Sequence, residues 1–366
     1  MKIIFDRELF LKDLRLVKQV ISKAGNIKPL LSYAKVDADE RVIMATDLAV
    51  GIRHKLRCKV LEAGTGLLPV DKILAVLKDC KDHEITITTD DASCEVITST
   101  GAFKLAGEDA SKFPDIQKFT ESQYDIEPNM LREMIKRTSF AAATEHARYA
   151  LTGILWEVDG AFRLIATDGR RLAVTDGVGN GKLNSNGKTW VVPTRTMELL
   201  SQCLPVGKSG GFIANSVSVH FRENDVLFKT ANDVILSRLV DGRYPPYKEI
   251  LPKNRPVGVA ELTVGPFADA VKQAAIATDD MMRYVQFAFS DGMVKMTSDN
   301  NGSKMAVELK LPYKGDAVSV KLDPKFVTEV LHVFGKRDKL ELNLYADTKP
   351  VLFTSENFRY LVQQHA

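Results

Sequence analysis

The segment Pro69-Val70-Asp71-Lys72-Ile73-Leu74-Ala75-Val76-Leu77-Lys78-Asp79-Cys80 decides the fold, because the chain repeats its pattern three times. Val70, Ile73, Leu74 and Leu77 fall at i, i+3, i+4 and i+7, one apolar stripe of an amphipathic helix. The opening proline suits a helix start, where the N–H it lacks would have no partner. Comparable proline-led stretches run over Pro193–Cys203 and Pro324–Phe334, and the proline spacings are 124 and 131 residues. In a chain of 366 residues, three such units leave little over. A repeat of this length is a whole domain rather than a solenoid rung.

Working outward, each third acquires a second helix. The pairs are Arg7–Ile21 with Pro69–Cys80, Pro128–Ala141 with Pro193–Leu204, and Pro266–Ile276 with Pro324–Phe334. Leu131, Met134, Ile135 and Thr138 form a weaker stripe, and Val327, Val330, Leu331 and Phe334 another. Between helices the apolar period shortens to two. Strand runs begin near Glu84, Cys94 and Ala102, near Ser216, Val226 and Val234, and near Leu340, Val351 and Phe358. Further runs, Lys35–Met44 and Ala161–Ala166, lead into a repeated phrase: Ala45-Thr46-Asp47, Ala166-Thr167-Asp168-Gly169 and, weakly, Thr297-Ser298-Asp299. An exit phrase around Phe113-Pro114 is echoed at Tyr244-Pro245.

Two helices and about eight strands per third imply an α+β architecture, an antiparallel sheet with its helices on one face. The expected domains are 1–122, 123–254 and 255–366. Open sheets leave unpaired edges, so an edge strand of one domain is expected to pair with the next. Three such steps form an arc, and head-to-tail contact between identical chains closes it into a ring or extends it as a filament.

Composition excludes several classes. Hydrophobic residues at 45% and charged residues at 27% are ordinary for a globular chain. The N-terminal MKIIFDRELF goes straight into a charged amphipathic pattern, and no apolar run reaches spanning length, so neither a signal peptide nor a membrane helix is expected and the cytoplasm is the expected location. Cys58, Cys80, Cys94 and Cys203 fit no metal-ligand spacing and read as reduced thiols. The net charge of +3 announces no nucleic-acid partner by itself. Its placement is more telling. The six helical spans carry a net +4, leaving −1 for everything else. Lys12, Arg15, Lys72, Arg132, Lys136 and Arg195 lie off the apolar stripes. Ordinary solvated helix faces account for these charges; a ring lined by the helices would instead gather them in one lumen, attracting phosphates without reading bases.

No catalytic or cofactor site emerges. The chain has no GxxxxGK[ST] loop, no GxGxxG turn, no HExxH and no GxSxG elbow, so no cofactor and no metal is expected. Asp47 and Asp168 follow strands and admit a carboxylate-dependent enzyme, but a turn aspartate bonding its own backbone fits them better. The stretch Thr167-Asp168-Gly169-Arg170-Arg171-Leu172 combines a turn, two arginines and an apolar anchor; it suits the edge of a peptide groove, and equally a solvent-facing turn with incidental arginines.

At this point the chain resembles the bacterial sliding clamp family, the beta subunit of DNA polymerase III. The resemblance is carried by Ala166-Thr167-Asp168-Gly169-Arg170-Arg171-Leu172-Ala173-Val174 and Leu239-Val240-Asp241-Gly242-Arg243-Tyr244-Pro245, with Ala147-Arg148-Tyr149, Leu151, Gly153 and Val191-Val192-Pro193 in support. It implies three domains of the DNA-clamp type and a head-to-tail homodimeric ring around double-stranded DNA, helices inside and sheets outside. The ring would tether the replicative DNA polymerase, and an ATP-dependent clamp loader would open it. The implied partner-motif pocket comprises Leu151, Thr167, Gly169, Arg170, Arg171, Leu172, Pro245, Ile250, Leu361 and Val362. Arg148 and Tyr149 match a DNA-touching loop, joining the helix cations as DNA-facing residues. Phe103, Ile276 and Lys72 match the dimer interface.

The chain also departs from the family. It ends Gln363-Gln364-His365-Ala366 where a Met-Pro-Met-like tail is usual, places Glu249 where a basic residue stands, has Ala150 for an aromatic, and lacks an arginine at Gly25-Asn26. A clamp paralogue with altered partner specificity is therefore the principal alternative.

Overall fold

The computed structural model describes every residue except 22–27, 91, 145–148, 160, 182–186, 206–215, 280–282, 301, 346–348 and 366. Gly25, Asn26, Arg148 and Ala366 thus lie outside the described residues.

The first third runs β1 (Lys2–Asp6), α1 (Arg7–Lys18), β2 (Ala34–Asp37), β3 (Val42–Thr46), β4 (Val50–Lys55), β5 (Cys58–Glu62), β6 (Thr65–Leu68), α2 (Val70–Asp79), β7 (Glu84–Thr89), β8 (Ser93–Thr98) and β9 (Gly101–Ala106). The second runs β10 (Tyr124–Ile126), α3 (Pro128–Ser139), β11 (Gly153–Asp159), β12 (Ala161–Thr167), β13 (Arg171–Gly177), β14 (Gly179–Gly181), β15 (Thr189–Pro193), α4 (Thr194–Cys203), β16 (Val217–Phe221), β17 (Asp225–Lys229) and β18 (Asp233–Arg238). The third runs β19 (Gly258–Thr263), α5 (Val264–Ala274), β20 (Val285–Ser290), β21 (Met293–Asn300), β22 (Ser303–Lys310), β23 (Tyr313–Gly315), β24 (Val318–Leu322), α6 (Pro324–His332), β25 (Lys339–Leu344), β26 (Val351–Ser355) and β27 (Phe358–Val362).

Among the described residues each third therefore holds two helices and nine strands, not eight. One source of the difference is the run Lys35–Met44, which is two strands folded back at a turn where Arg41 adopts φ 52°. The prolines also sit less uniformly than their spacing suggests. Pro128 and Pro324 are first residues of their helices, Pro69 is the N-cap of α2, Pro193 precedes α4, and Pro266 is the third residue of α5. All lie where a backbone N–H would find no carbonyl acceptor within the helix, which is why proline is tolerated. Among the described residues, side chains accept from the first turns of three helices, with Glu127 Oε1 accepting from Asn129 N at 3.0 Å in α3. Asp6 accepts from Leu9 N at 2.9 Å at the head of α1, and Asp323 accepts from Lys325 N at 2.8 Å at the head of α6.

The chain forms two compact units, each built from one outer third and part of the middle third: Met1–Asn129 with Gly179–Leu183 and Arg195–Leu239, and Met130–Val178 with Asn184–Thr194 and Val240–Ala366. In the first unit, β5-β1-β7-β8-β9 make one sheet and β14-β10-β16-β17-β18-β4-β3-β2-β6 another. The second sheet joins thirds at β18–β4, in the register Asp233 with His54 and Ser237 with Val50. The second unit repeats the arrangement. Its sheets are β15-β11-β12-β13-β27-β26-β25-β19-β23 and β22-β21-β20-β24, and β13 meets β27 with Arg171 opposite Val362 and Thr175 opposite Phe358. Pairing one domain's edge strand with the next hides backbone groups that would otherwise need water.

The apolar stripes face these sheets. Phe10, Leu11, Leu14 and Val17 of α1 and Val70, Ile73, Leu74 and Leu77 of α2 are buried, and the two helices pack side by side. Phe5 stacks on Phe10 with centroids 4.0 Å apart. In the second unit α5 and α6 pack likewise, and Phe267 stacks on Phe287 at 6.2 Å. The stripe of α3 is also buried; its polar member, Thr138, donates its hydroxyl to Met134 O at 2.8 Å. Among the described residues no helix is long and apolar enough to cross a membrane.

Candidate functional site

The repeated phrase folds into the same turn twice. In the second unit Thr167 Oγ1 donates to Arg171 O and accepts from Gly169 N at 3.1 Å, while Asp168 Oδ1 accepts from Arg170 N and Arg171 N at 2.9 and 3.1 Å. In the first unit Thr46 Oγ1 donates to Val50 O at 2.9 Å and accepts from Leu48 N at 3.0 Å, and Asp47 Oδ1 accepts from Ala49 N and Val50 N at 3.0 and 2.8 Å. The residue after each aspartate is left-handed: Gly169 at φ 93° and Leu48 at φ 74°. The third phrase differs, because Ser298 and Asp299 stay inside β21 and the reversal comes later, at Gly302 with φ 82°. Both aspartates are thus turn formers, as their repetition suggested, and their other oxygens are held by arginines. Asp168 Oδ2 accepts from Arg171 Nε at 2.9 Å and Asp47 Oδ2 from Arg195 Nη1 at 2.6 Å. Both oxygens of each carboxylate are therefore engaged within the protein.

Around the second-unit turn lies a cavity of about 240 Å³ lined by Thr167, Gly169, Arg170, Arg171, Leu172, Pro245, Ile250, Pro350, Leu361 and Gln363. Its floor is apolar. Leu155, Ile165, Leu172, Val174, Val191, Tyr247 and Leu361 form one buried cluster, with Val240, Tyr244, Leu251 and Leu352 packed against it. Eight of the ten pocket residues expected from the sequence converge there. Leu151 and Val362 do not: both are buried, Val362 inside the β13–β27 pairing. A second cavity of about 290 Å³, lined by Arg170, Asp323, Phe326, Gln363, Gln364 and His365, shares Arg170 and Gln363 with the first. Reading the sequence missed Pro350, Asp323 and Phe326. The latter two stand at the start of α6, whose apolar stripe pointed only to the core.

The two arginines of the turn do different work. Arg170 is exposed and borders both cavities. Arg171 has only 8% of its side chain exposed. Its guanidinium donates to Asp168, to Glu329 and to Phe140 O, the last at 2.7 Å, and lies 4.6 and 5.6 Å from the rings of Phe326 and Phe140. It fixes the turn rather than presenting a charge to a ligand. The tail is held in place as well: Gln363 N donates to Arg170 O and His365 N to Lys321 O, both at 2.9 Å. Tail side chains thus form one wall of the second cavity.

Of the cations read as DNA-facing, Lys12, Arg15, Lys72 and Lys136 are exposed on their helices and Arg132 is half-buried. Arg195 is exposed but engaged, pairing with Asp47 and donating to Gln19 O. Tyr149 starts a short 3-10 turn. Of the expected interface residues, Phe103 is 40% exposed on the edge strand β9 and Ile276 is 70% exposed just past α5. The described residues hold no cluster of metal-ligating side chains. Cys94 is buried, which pushes its thiol up to about 12.

Three family models match consecutive segments: DNA polymerase III beta subunit, N-terminal domain, over residues 1–117; central domain, over 125–246; and C-terminal domain, over 248–366. The Beta sliding clamp of Haemophilus influenzae is 28% identical over 341 residues, covering 91% of this chain and 90% of the relative. Among solved structures, the sliding clamp (DNA polymerase III subunit beta) from Pseudomonas aeruginosa bound to griselimycin superposes with TM-score 0.90 at 24% identity, covering 100% of this chain and 99% of the other. The DNA polymerase sliding clamp from Bacillus subtilis gives TM-score 0.88 at 20% identity with the same coverage. Three domain matches in unbroken order, on a chain whose described residues repeat nine strands and two helices in each third, place it: this chain belongs to the DNA polymerase III beta subunit family.

Proposed function

We infer that the chain works as a sliding clamp: a non-catalytic processivity subunit that surrounds duplex DNA and tethers a DNA polymerase to it. The observation that carries this is the row of three beta-subunit domains, two of whose junctions are sewn by continuous sheets, at β18–β4 and β13–β27. The domains are 1–122, 123–254 and 255–366, and two chains associate head to tail into a ring. Supporting the closure, Phe103 and Ile276 are apolar yet exposed, and β9 and β22 are sheet edges with one unpaired side each.

Function follows from topology rather than affinity. Tight phosphate contacts would arrest movement and weak ones would let an open protein escape; a closed ring slides on weak contacts and cannot leave sideways. Lys12, Arg15, Lys72, Arg132 and Lys136, with Arg148 and Tyr149, supply a diffuse, sequence-independent attraction. A polymerase held through the Thr167–Leu172 pocket stays near the primer end at high local concentration, so each dissociation is followed by rapid rebinding. The exposed Arg170 and the apolar floor suit a short linear motif with aliphatic anchors and an acidic or polar flank. An ATP-dependent loader opens the ring, and the protein acts in the cytoplasm, on the nucleoid.

The test is primer extension by a replicative polymerase and loader on a long primed template, with a DNA trap limiting each polymerase to one binding event. Added chain should lengthen the products. Unchanged product length, with the polymerase still binding the chain, would overturn the reading. A second reading, a paralogue serving other partners, rests on the polar wall of Gln363, Gln364 and His365 in the second cavity. Titration of a polymerase motif peptide separates the two: micromolar binding supports the replicative clamp and absence of binding the paralogue.

A further inference from the structure

The first unit holds a pocket with no role in the scheme above. A cavity of about 460 Å³ opens at the Asp233–Lys55 end of the β18–β4 seam. The repeated turn Thr46–Val50 stands at the opposite end of that seam, so this is not the repeat counterpart of the Thr167–Leu172 pocket. Its apolar surface comes from Val42 and Leu56, which are buried, and from Val234 and Phe119, which are half-buried.

The lining carries five cations against two carboxylates, and both carboxylates are already engaged. Glu40 is bound by Arg53 at 2.5 Å and by Lys118. Asp233 accepts from Thr230 Oγ1 at 2.9 Å and lies 2.6 Å from His54 Nδ1. Arg41, Lys55 and Lys229 remain exposed at the rim and stand in no ion pair among the described residues. Lys55 donates only to Ala231 O at 3.2 Å, and Lys229 Nζ hangs 5.7 Å from the Phe119 ring.

We propose that this pocket is a second docking site, taking an acidic peptide segment of a partner protein that buries one aromatic or aliphatic side chain between Val42, Leu56 and Val234 and sets carboxylates against Arg41, Lys55 and Lys229. Charge complementarity selects the occupant: an apolar slot ringed by uncompensated cations attracts anionic chains and rejects basic ones. A nucleic-acid strand fits less well. Stacking needs open aromatic faces, and the one aromatic of the lining, Phe119, lies under Lys229.

The test is fluorescence anisotropy on the full chain with a short fluorescein-labelled peptide carrying one phenylalanine flanked on both sides by aspartates. The site predicts saturable binding that weakens with salt and is unaffected by excess polymerase motif peptide. It also predicts at least tenfold weaker binding to the double variant Lys55→Glu/Lys229→Glu. A control of equal charge change elsewhere, Lys253→Glu/Lys314→Glu, should bind as wild type. All four lysines are exposed, so both variants should melt with wild type. A photo-crosslinking version of the peptide should label the segment containing Lys118 and Phe119. Absence of saturable binding, equal loss in both variants, or crosslinks confined to the Thr167–Leu172 pocket would overturn the proposal. Displacement of the peptide by an equal concentration of single-stranded oligonucleotide would reassign the site to nucleic acid.

Discussion

Truncating Arg171 should destabilise the fold and truncating Arg170 should not, although the two are neighbours in one turn. Arg171→Ala removes a buried guanidinium and leaves Asp168 Oδ2, a Glu329 oxygen and Phe140 O without their donor. It also strips the cation from between two aromatic rings. Breaking a buried charge pair by deleting one partner costs about 3–5 kcal/mol. The low end applies here, because the Glu329 side chain keeps 29% of its surface exposed and recovers some hydration. A loss of about 3 kcal/mol in a domain of this size lowers Tm by roughly 6–12 °C. Arg170→Ala removes an exposed side chain and should change stability by no more than about 0.5 kcal/mol. Both should weaken a polymerase motif peptide, Arg170→Ala by losing a contact and Arg171→Ala by loosening the turn. Thermal melts by circular dichroism and peptide anisotropy on the two variants make the comparison. A melt within 2 °C of wild type for Arg171→Ala, or a lower melt for Arg170→Ala than for Arg171→Ala, with ~0.5 kcal/mol as the surface allowance, would refute the division of roles.

Other consequences follow from the same geometry. Burial pushes the His54 imidazole down, but Asp13 and Asp233, at 3.1 and 2.6 Å, outweigh it and raise the group to about 9. Its folded value lies above its unfolded one, so its stabilisation is full below about pH 6.5 and fades as pH rises through about 9, an effect on the order of 3 kcal/mol. Wild type should therefore lose stability relative to His54→Gln across that window in urea titrations; a difference independent of pH would contradict it. Gly169→Ala puts a side chain at φ 93° with open space around it, so backbone strain alone should cost about 1–2 kcal/mol. Leu48→Gly relieves the same strain at φ 74° and should leave stability unchanged or raised by up to about 1 kcal/mol, both measured by chemical denaturation. Phe103→Asp and Ile276→Asp should each shift sedimentation towards monomer at a concentration where wild type is dimeric, with unchanged melts of the monomer fold.

What the sequence disclosed and what it hid have physical reasons. The helices were legible because Val70, Ile73, Leu74 and Leu77, and their counterparts, must face a sheet, which imposes a period that survives any change of residue. The Thr46–Asp47 and Thr167–Asp168 turns were legible because a short polar side chain bonding its own backbone is local chemistry. The reversal inside Lys35–Met44 was not, since Arg41 takes the left-handed conformation without a glycine to mark it. The short strands β10, β14 and β23 carry too few residues for any period to show; their partners define them. Burial of Arg171 was also illegible. Phe140, Phe326 and Glu329, which enclose it, are far from it in sequence and meet it only through folding. The same holds for Asp323 and Phe326 in the second cavity, and for Arg195, whose charge Asp47 takes up.

The proposed clamp function requires this chain to hold DNA by encircling it. The most direct measurement loads the protein onto nicked circular DNA with a clamp loader, removes free protein by gel filtration, cuts the circle once with a restriction enzyme, and follows how much protein stays with the DNA. Encirclement predicts stable retention on the circle and prompt loss from the cut ends, with retention restored when both ends are blocked by bulky protein. Equal retention on circular and linear DNA would show binding by contact rather than by closure and would contradict the claim.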